Sequence, residues 1–127
     1  MNYHREGAGA PTVVLIHGIG HHWQAWRPVI DLLAGEFEVI ACDSPGFGRS
    51  QPLTPGIRPT VAAYADAFEL FFAELGLGRP HVAGNSMGGG IALELVHPER
   101  FQLIEFLLFY QRVCIFNEPQ KHDPPAR

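Results

Sequence analysis

The stretch His81-Val82-Ala83-Gly84-Asn85-Ser86-Met87-Gly88-Gly89-Gly90-Ile91-Ala92-Leu93-Glu94-Leu95-Val96 decides how this chain is read. It opens as a short apolar strand over 81–83 and turns through a serine flanked by glycines two residues away on each side. It then runs on as an apolar helix over 87–96, which His97-Pro98 ends. A serine held in a tight strand-to-helix turn needs small neighbours where strand and helix approach, and Gly84 and Gly88 supply them. The helix aims its free backbone N–H groups at the serine hydroxyl, where they can stabilise developing negative charge. Ser86 is therefore the candidate nucleophile, and the Met87 N–H the first candidate oxyanion donor.

Upstream, Thr12-Val13-Val14-Leu15-Ile16 is a continuous β-branched run stopped by His17-Gly18-Ile19-Gly20, as in a strand buried on both faces. The Ile19 N–H, at the carboxyl end of that strand, is the second candidate donor. Asn2 to Arg5 is expected to pair with this strand across the Gly7–Pro11 turn. Pro28 suits a first helical turn, with Val29, Leu32 and Leu33 on one face and Gly35 as a left-handed stop. Glu38 to Cys42 reads as a second buried strand, and Asp43 to Gly56, dense in Gly, Pro and Ser, as loop. Thr60 caps a helix carrying Val61, Tyr64, Phe68, Phe71 and Leu75 at helical spacing, which Gly76 and Gly78 close. Strand and helix alternate, so the expected fold class is α/β: a three-layer α/β/α domain around a mostly parallel sheet.

The whole chain has 127 residues, 46% hydrophobic and 17% charged, with nine basic against thirteen acidic side chains for a net charge of -4. A chain of this length buries roughly two thirds of its unfolded surface, which suffices for a core without staples. The mild acidity carries no nucleic-acid or anionic-membrane footprint, so a small-molecule substrate is the expected partner. Phe101 to Phe116 is apolar but broken by Gln102, Glu105, Gln111 and Arg112 and too short for a bilayer span. Residues 1–9 lack a basic and apolar secretory pattern, and a cytoplasmic location is expected. Cys42 and Cys114 match no metal or redox spacing and are read as reduced. His17, His21 and His22 lack an accompanying carboxylate and are read as solvated or structural, so no metal is expected. Gly18-x-Gly20 followed by Asp43 superficially suggests a dinucleotide unit, but Trp23 stands at the third glycine position, and no cofactor is expected.

Leu15-Ile-His-Gly-Ile-Gly20, Asp43-Ser-Pro-Gly-Phe-Gly-Arg-Ser50 and Gly84-Asn-Ser-Met-Gly-Gly89, in that order, resemble the α/β-hydrolase superfamily over about residues 2–100. The resemblance implies Ser86 as nucleophile and the Ile19 and Met87 N–H groups as oxyanion hole. It leaves Asp43 with a structural part at the site edge. Serine at residue 86, where relatives that open epoxides or displace halide carry aspartate, implies acyl-enzyme chemistry on ester-type substrates. Asn85 is similar to the elbow of hydrolases that cut carbon–carbon bonds in aromatic breakdown. A carbon–carbon hydrolase or perhydrolase is accordingly the alternative enzyme.

The superfamily places its acid and then its histidine well downstream of the serine. After Ser86 this sequence offers only His97 and His122 as histidines and Glu105 as the best-placed acid, none of them held near the serine by any pattern. The composition also changes: all 14 glycines lie at or before Gly90, and the single lysine is Lys121. Residues 1–100 are thus expected to be the N-terminal part of a truncated hydrolase domain, impaired in activity. Residues 101–127 are expected to be an atypical tail, apolar and then Pro-rich, from a frameshift or truncation, with Phe101 to Tyr110 a further strand and Gln111 to Arg127 irregular. The non-enzymatic alternative is a fragment stabilised as a homo-oligomer, or by a partner, through its exposed sheet edge or tail.

Overall fold

The computed structural model describes residues 1–96 and a strand at 113–116. The elements are β1 (Tyr3–Glu6), β2 (Thr12–Ile16), a 3-10 turn (Trp23–Trp26), α1 (Arg27–Leu33), β3 (Glu38–Cys42), α2 (Val61–Leu75), β4 (His81–Asn85), α3 (Met87–Leu95) and β5 (Val113–Phe116). They form one sheet in the order β1-β3-β2-β4-β5. The central strand β2 runs parallel to β3, with Val14 opposite Ile40, and parallel to β4, with Val14 opposite Val82.

Alternation along the strands builds two cores. Val14, Ile16, Ile40, Cys42 and Val82 face one side and pack against Phe68, Phe71 and Phe72 of α2 and Ile91, Ala92 and Leu95 of α3. Leu15, Val39, Ala41 and Ala83 face the other side and pack against Trp26 and Ile30. These strands are apolar at successive positions because each covers both faces, and the result is the expected three layers.

Four local expectations change. β1 pairs antiparallel with β3, Tyr3 opposite Cys42, because both edges of β2 are already taken by β3 and β4. On α1, Val29 and Leu33 pack on the core as expected and Ile30 is fully buried beside them, but Leu32 is 82% exposed. The helix ends at Ala34 in ordinary right-handed geometry, so Gly35 supplies no left-handed stop. Within the stretch read as irregular, Val113–Phe116 is a strand, antiparallel to β4 with Gly84 opposite Cys114, as its unbroken apolar and β-branched text allows. The strand expected over 101–110 lies outside the described residues, as do His97, Glu105 and His122.

α2 starts and stops as its sequence reads. The Ala63 N–H donates to Thr60 Oγ1 at 3.1 Å, and Gly76 closes the helix at φ 63°, a left-handed conformation costly for other residues. Thr60→Ala orphans that N–H, and chemical denaturation of the variant should show a loss of about 1 kcal/mol. Among the described residues no helix is long and apolar enough to cross a membrane.

Candidate functional site

Ser86 sits between β4 and α3 with φ 54° and ψ -115°, and it is the only non-glycine residue at positive φ among the described residues. Its carbonyl accepts the Gly90 N–H at 3.1 Å and so begins the α3 ladder, while its side chain caps nothing. The residue is exposed, and among the described residues its hydroxyl has no hydrogen-bond partner. The two flanking glycines make this turn possible. A Cβ at Gly84 would fall 2.1 Å from the Gly88 carbonyl oxygen, and one at Gly88 would fall 2.1 Å from the Ile16 carbonyl oxygen. β2, β4 and α3 thus meet backbone to backbone beneath the serine.

The loop after β2 lies directly against this turn. A Cβ at Gly18 would stand 3.3 Å from the Asn85 carbonyl oxygen and 3.4 Å from Ser86 Cβ. Gly18, Ile19, His21, Asn85 and Ser86 line a cleft of about 330 Å³. Ser86 and Ile19 are therefore brought together on one cleft, and Met87 follows as the first residue of α3. His21, read from sequence as solvated or structural, and Asn85, noted there only for its resemblance to the carbon–carbon hydrolase elbow, also line the cleft. The signal for His21 is a turn visible only in three dimensions, in which its N–H donates to the Gly18 carbonyl at 3.1 Å. Asn85 Oδ1 is buried with no hydrogen-bond partner among the described residues. No histidine or carboxylate is bonded to Ser86 Oγ among them either.

Two buried polar residues hold the loops around the cleft. His17, 1% exposed, accepts the Ser44 N–H on Nε2 at 3.0 Å, so the ring proton is on Nδ1, which donates to the Gly18 carbonyl at 2.7 Å. Burial holds His17 below the usual histidine range. The Gly18 bond and the Asp43 charge pull the other way, and His21 and His22 add to the lowering. Asp43, also 1% exposed, receives the Trp23 N–H at 2.7 Å, the Arg49 N–H at 3.0 Å and the Asn2 side-chain amide at 2.7 Å. Burial pushes its carboxyl up, but the Arg49, Trp23 and Asn2 bonds and the neighbouring His17 outweigh that, leaving it below the ordinary value. With both oxygens engaged, this carboxylate ties the N-terminus, the 3-10 turn and the 43–50 loop together, and it does not line the cleft of Ser86. Both ring nitrogens of His17 are likewise occupied, and among the described residues no three metal-ligating side chains cluster.

The sign of the pH dependence follows from the His17 pKa. The unfolded state binds a proton on this ring near the ordinary value of 6.5, whereas the folded state binds it only at lower pH. His17 therefore supports stability above pH 6.5, and that support is lost as pH falls from there toward the lowered folded value. Urea unfolding should show falling stability between pH 7.5 and 5, with a flatter profile in His17→Gln.

Known proteins resemble this chain in sequence and fold. The sequence pattern of the alpha/beta hydrolase fold matches residues 11–103. The chain is 42% identical over 95 residues to the dihydrolipoyllysine-residue acetyltransferase component of the acetoin cleaving system of Cupriavidus necator, covering 75% of this chain and 25% of that protein. It is 35% identical over 107 residues to 2-hydroxy-6-oxononadienedioate/2-hydroxy-6-oxononatrienedioate hydrolase 1 of Dechloromonas aromatica, covering 79% of this chain and 36% of that one. Among solved structures, a thermophilic esterase from Thermogutta terrifontis superposes with a TM-score of 0.70 at 33% identity, over 80% of this chain and 36% of the esterase. The chain thus spans roughly a quarter to a third of the length of these relatives. The match runs unbroken from β2 through the serine turn to α3, the same segments that build the cleft, and on that ground the chain belongs to the α/β-hydrolase fold family.

Proposed function

We propose that this chain carries the nucleophile and oxyanion hole of a serine hydrolase that works through an acyl-enzyme on small ester-type substrates. The observation that carries this reading is the positive φ of Ser86 at the mouth of a cleft shared with Ile19. Ser86 Oγ attacks the ester carbonyl, and the Ile19 and Met87 N–H groups receive the negative charge that develops on its oxygen. Collapse of that intermediate breaks the bond to the alcohol, which leaves with the serine proton. Water then adds to the acyl group, and its departure as the acid restores the hydroxyl. The serine proton needs a general base to move it. Because no described residue is bonded to Ser86 Oγ, turnover requires a base brought to it: from His21 on the same cleft, from residues 97–127 or from outside the chain.

A second reading, hydrolysis of a carbon–carbon bond, draws on Asn85 beside the serine and on the Dechloromonas relative, named as a hydrolase of 2-hydroxy-6-oxo dienedioates. Labelling with a fluorophosphonate probe, with p-nitrophenyl acetate hydrolysis followed in parallel, tests the nucleophile. The expected result is labelling that disappears in Ser86→Ala, which would make His122 and His97 the next variants. A folded protein that never labels would favour an architectural fragment held in an oligomer, to be checked by light scattering.

A further inference from the structure

The candidate oxyanion donor Ile19 N–H belongs to the same planar peptide unit as the Gly18 carbonyl. That carbonyl is held twice: by His17 Nδ1–H at 2.7 Å and by the His21 N–H at 3.1 Å. In a trans peptide the N–H points opposite to the C=O, so a carbonyl fixed toward the buried imidazole sends the Ile19 N–H the other way. Gly18 and Ile19 both line the cleft that holds Ser86, and Ile19 is 69% exposed there. The imidazole is itself fixed, because the Ser44 N–H occupies Nε2 at 3.0 Å and the Phe47 ring meets it edge-on with centroids 5.5 Å apart. Without the His17 bond the peptide unit would keep only the turn bond from His21, at the start of a stretch exposed from Ile19 to His22.

We propose that His17 is a positioning residue, whose Nδ1–H bond to the Gly18 carbonyl aims the Ile19 N–H at the oxygen of a substrate on Ser86. This deepens the serine-hydrolase reading and rests on it. A donated bond at the carbonyl also polarises the peptide, making its N–H the better donor. His17 touches no reacting atom; it acts through the orientation of one peptide plane.

Two substitutions separate this role from a structural one. His17→Asn keeps an amide donor at the place of Nδ1 and abandons the Ser44 N–H. His17→Gln reaches the Ser44 N–H with its oxygen and loses the donor to Gly18. The readouts are the rate constant for fluorophosphonate labelling of Ser86 and the order parameter of the Ile19 amide by 15N relaxation. The expected result is labelling slowed about tenfold or more in His17→Gln, within the 10²–10³-fold cost of removing an oxyanion donor outright. His17→Asn should stay within about threefold of the parent, as expected where the reaction follows the oxyanion donor rather than the Ser44 tie. Equal slowing in both variants, or none in His17→Gln, overturns the proposal. If the parent protein never labels, the serine-hydrolase reading falls. The amide still decides: an Ile19 order parameter lowered in His17→Gln and kept in His17→Asn supports positioning, and any other pattern overturns it. If neither variant folds, the parent's long-range 1H–15N spectrum decides instead. It must show His17 protonated on Nδ1 and bare on Nε2, and the opposite tautomer overturns the proposal.

Discussion

Gly88→Ala is expected to prevent stable folding, with a loss above about 4 kcal/mol, in the range reserved for severe core or backbone disruption. The added methyl would stand 2.1 Å from the Ile16 carbonyl oxygen, 2.6 Å from its carbon and 2.7 Å from the His17 carbonyl oxygen. All three are backbone atoms of the central strand and the residue that follows it, so no rotamer change can relieve the overlap. α3 would have to lift from β2, and Ile91, Ala92 and Leu95 would leave the core with it. Gly84→Ala meets the Gly88 carbonyl at 2.1 Å and the Gly89 nitrogen at 2.6 Å and should fail in the same way. Circular dichroism and thermal unfolding check both. Gly20→Ala, where nothing lies within 4 Å but φ is 76°, should remain folded at a cost near 1 kcal/mol, about that of forcing an L-residue into left-handed backbone.

Ser86→Gly is expected to raise stability and erase reactivity in one step. A serine at φ 54° and ψ -115° holds backbone strain of order 1–3 kcal/mol, which glycine does not incur. The Ser86 side chain caps no helix N–H, so its removal sacrifices no hydrogen bond among the described residues. Glycine gives back part of the gain through its larger unfolded-state entropy, about 0.5–1 kcal/mol, so the net should be a small rise in unfolding midpoint with fluorophosphonate labelling abolished. Ser86→Ala, which keeps the strain, should abolish labelling without that rise. A midpoint that falls in Ser86→Gly would show that the turn is not strained by its side chain.

The sequence and the structure agree where a residue's environment is set by its own neighbours along the chain. β2, β3 and β4 were legible because strands covered on both faces must be apolar at every position. α2 was legible because Thr60 and Gly76 mark its ends chemically. The serine turn was legible because the Gly84 and Gly88 spacing is a steric requirement of that turn. What failed were matters of partnership. The text of residues 2–5 suggested a strand but not which strand it joins: pairing with β2 was expected, and topology decided for β3. His17 could be placed among structural histidines. Its two bonds, to Gly18 and to Ser44 twenty-seven residues on, depend on how two loops meet at the carboxyl edge of the sheet. His21 and Asn85 reach the cleft for the same reason.

The strand order also dictates a sequence of events in time. β2 lies at the centre of the sheet, yet both its hydrogen-bonded neighbours come later in the chain: Val13 faces Val39 on one side and His81 on the other. The first pairing closes a loop of modest length, whereas the second must wait for α2 and the long 43–60 connection to be in place. Because closure entropy precedes the reward of contact, a β2–α1–β3 unit should form early and the joining of β4 should be the slow event. Ser86, just past the end of β4, therefore acquires its strained turn only when that slow closure is made.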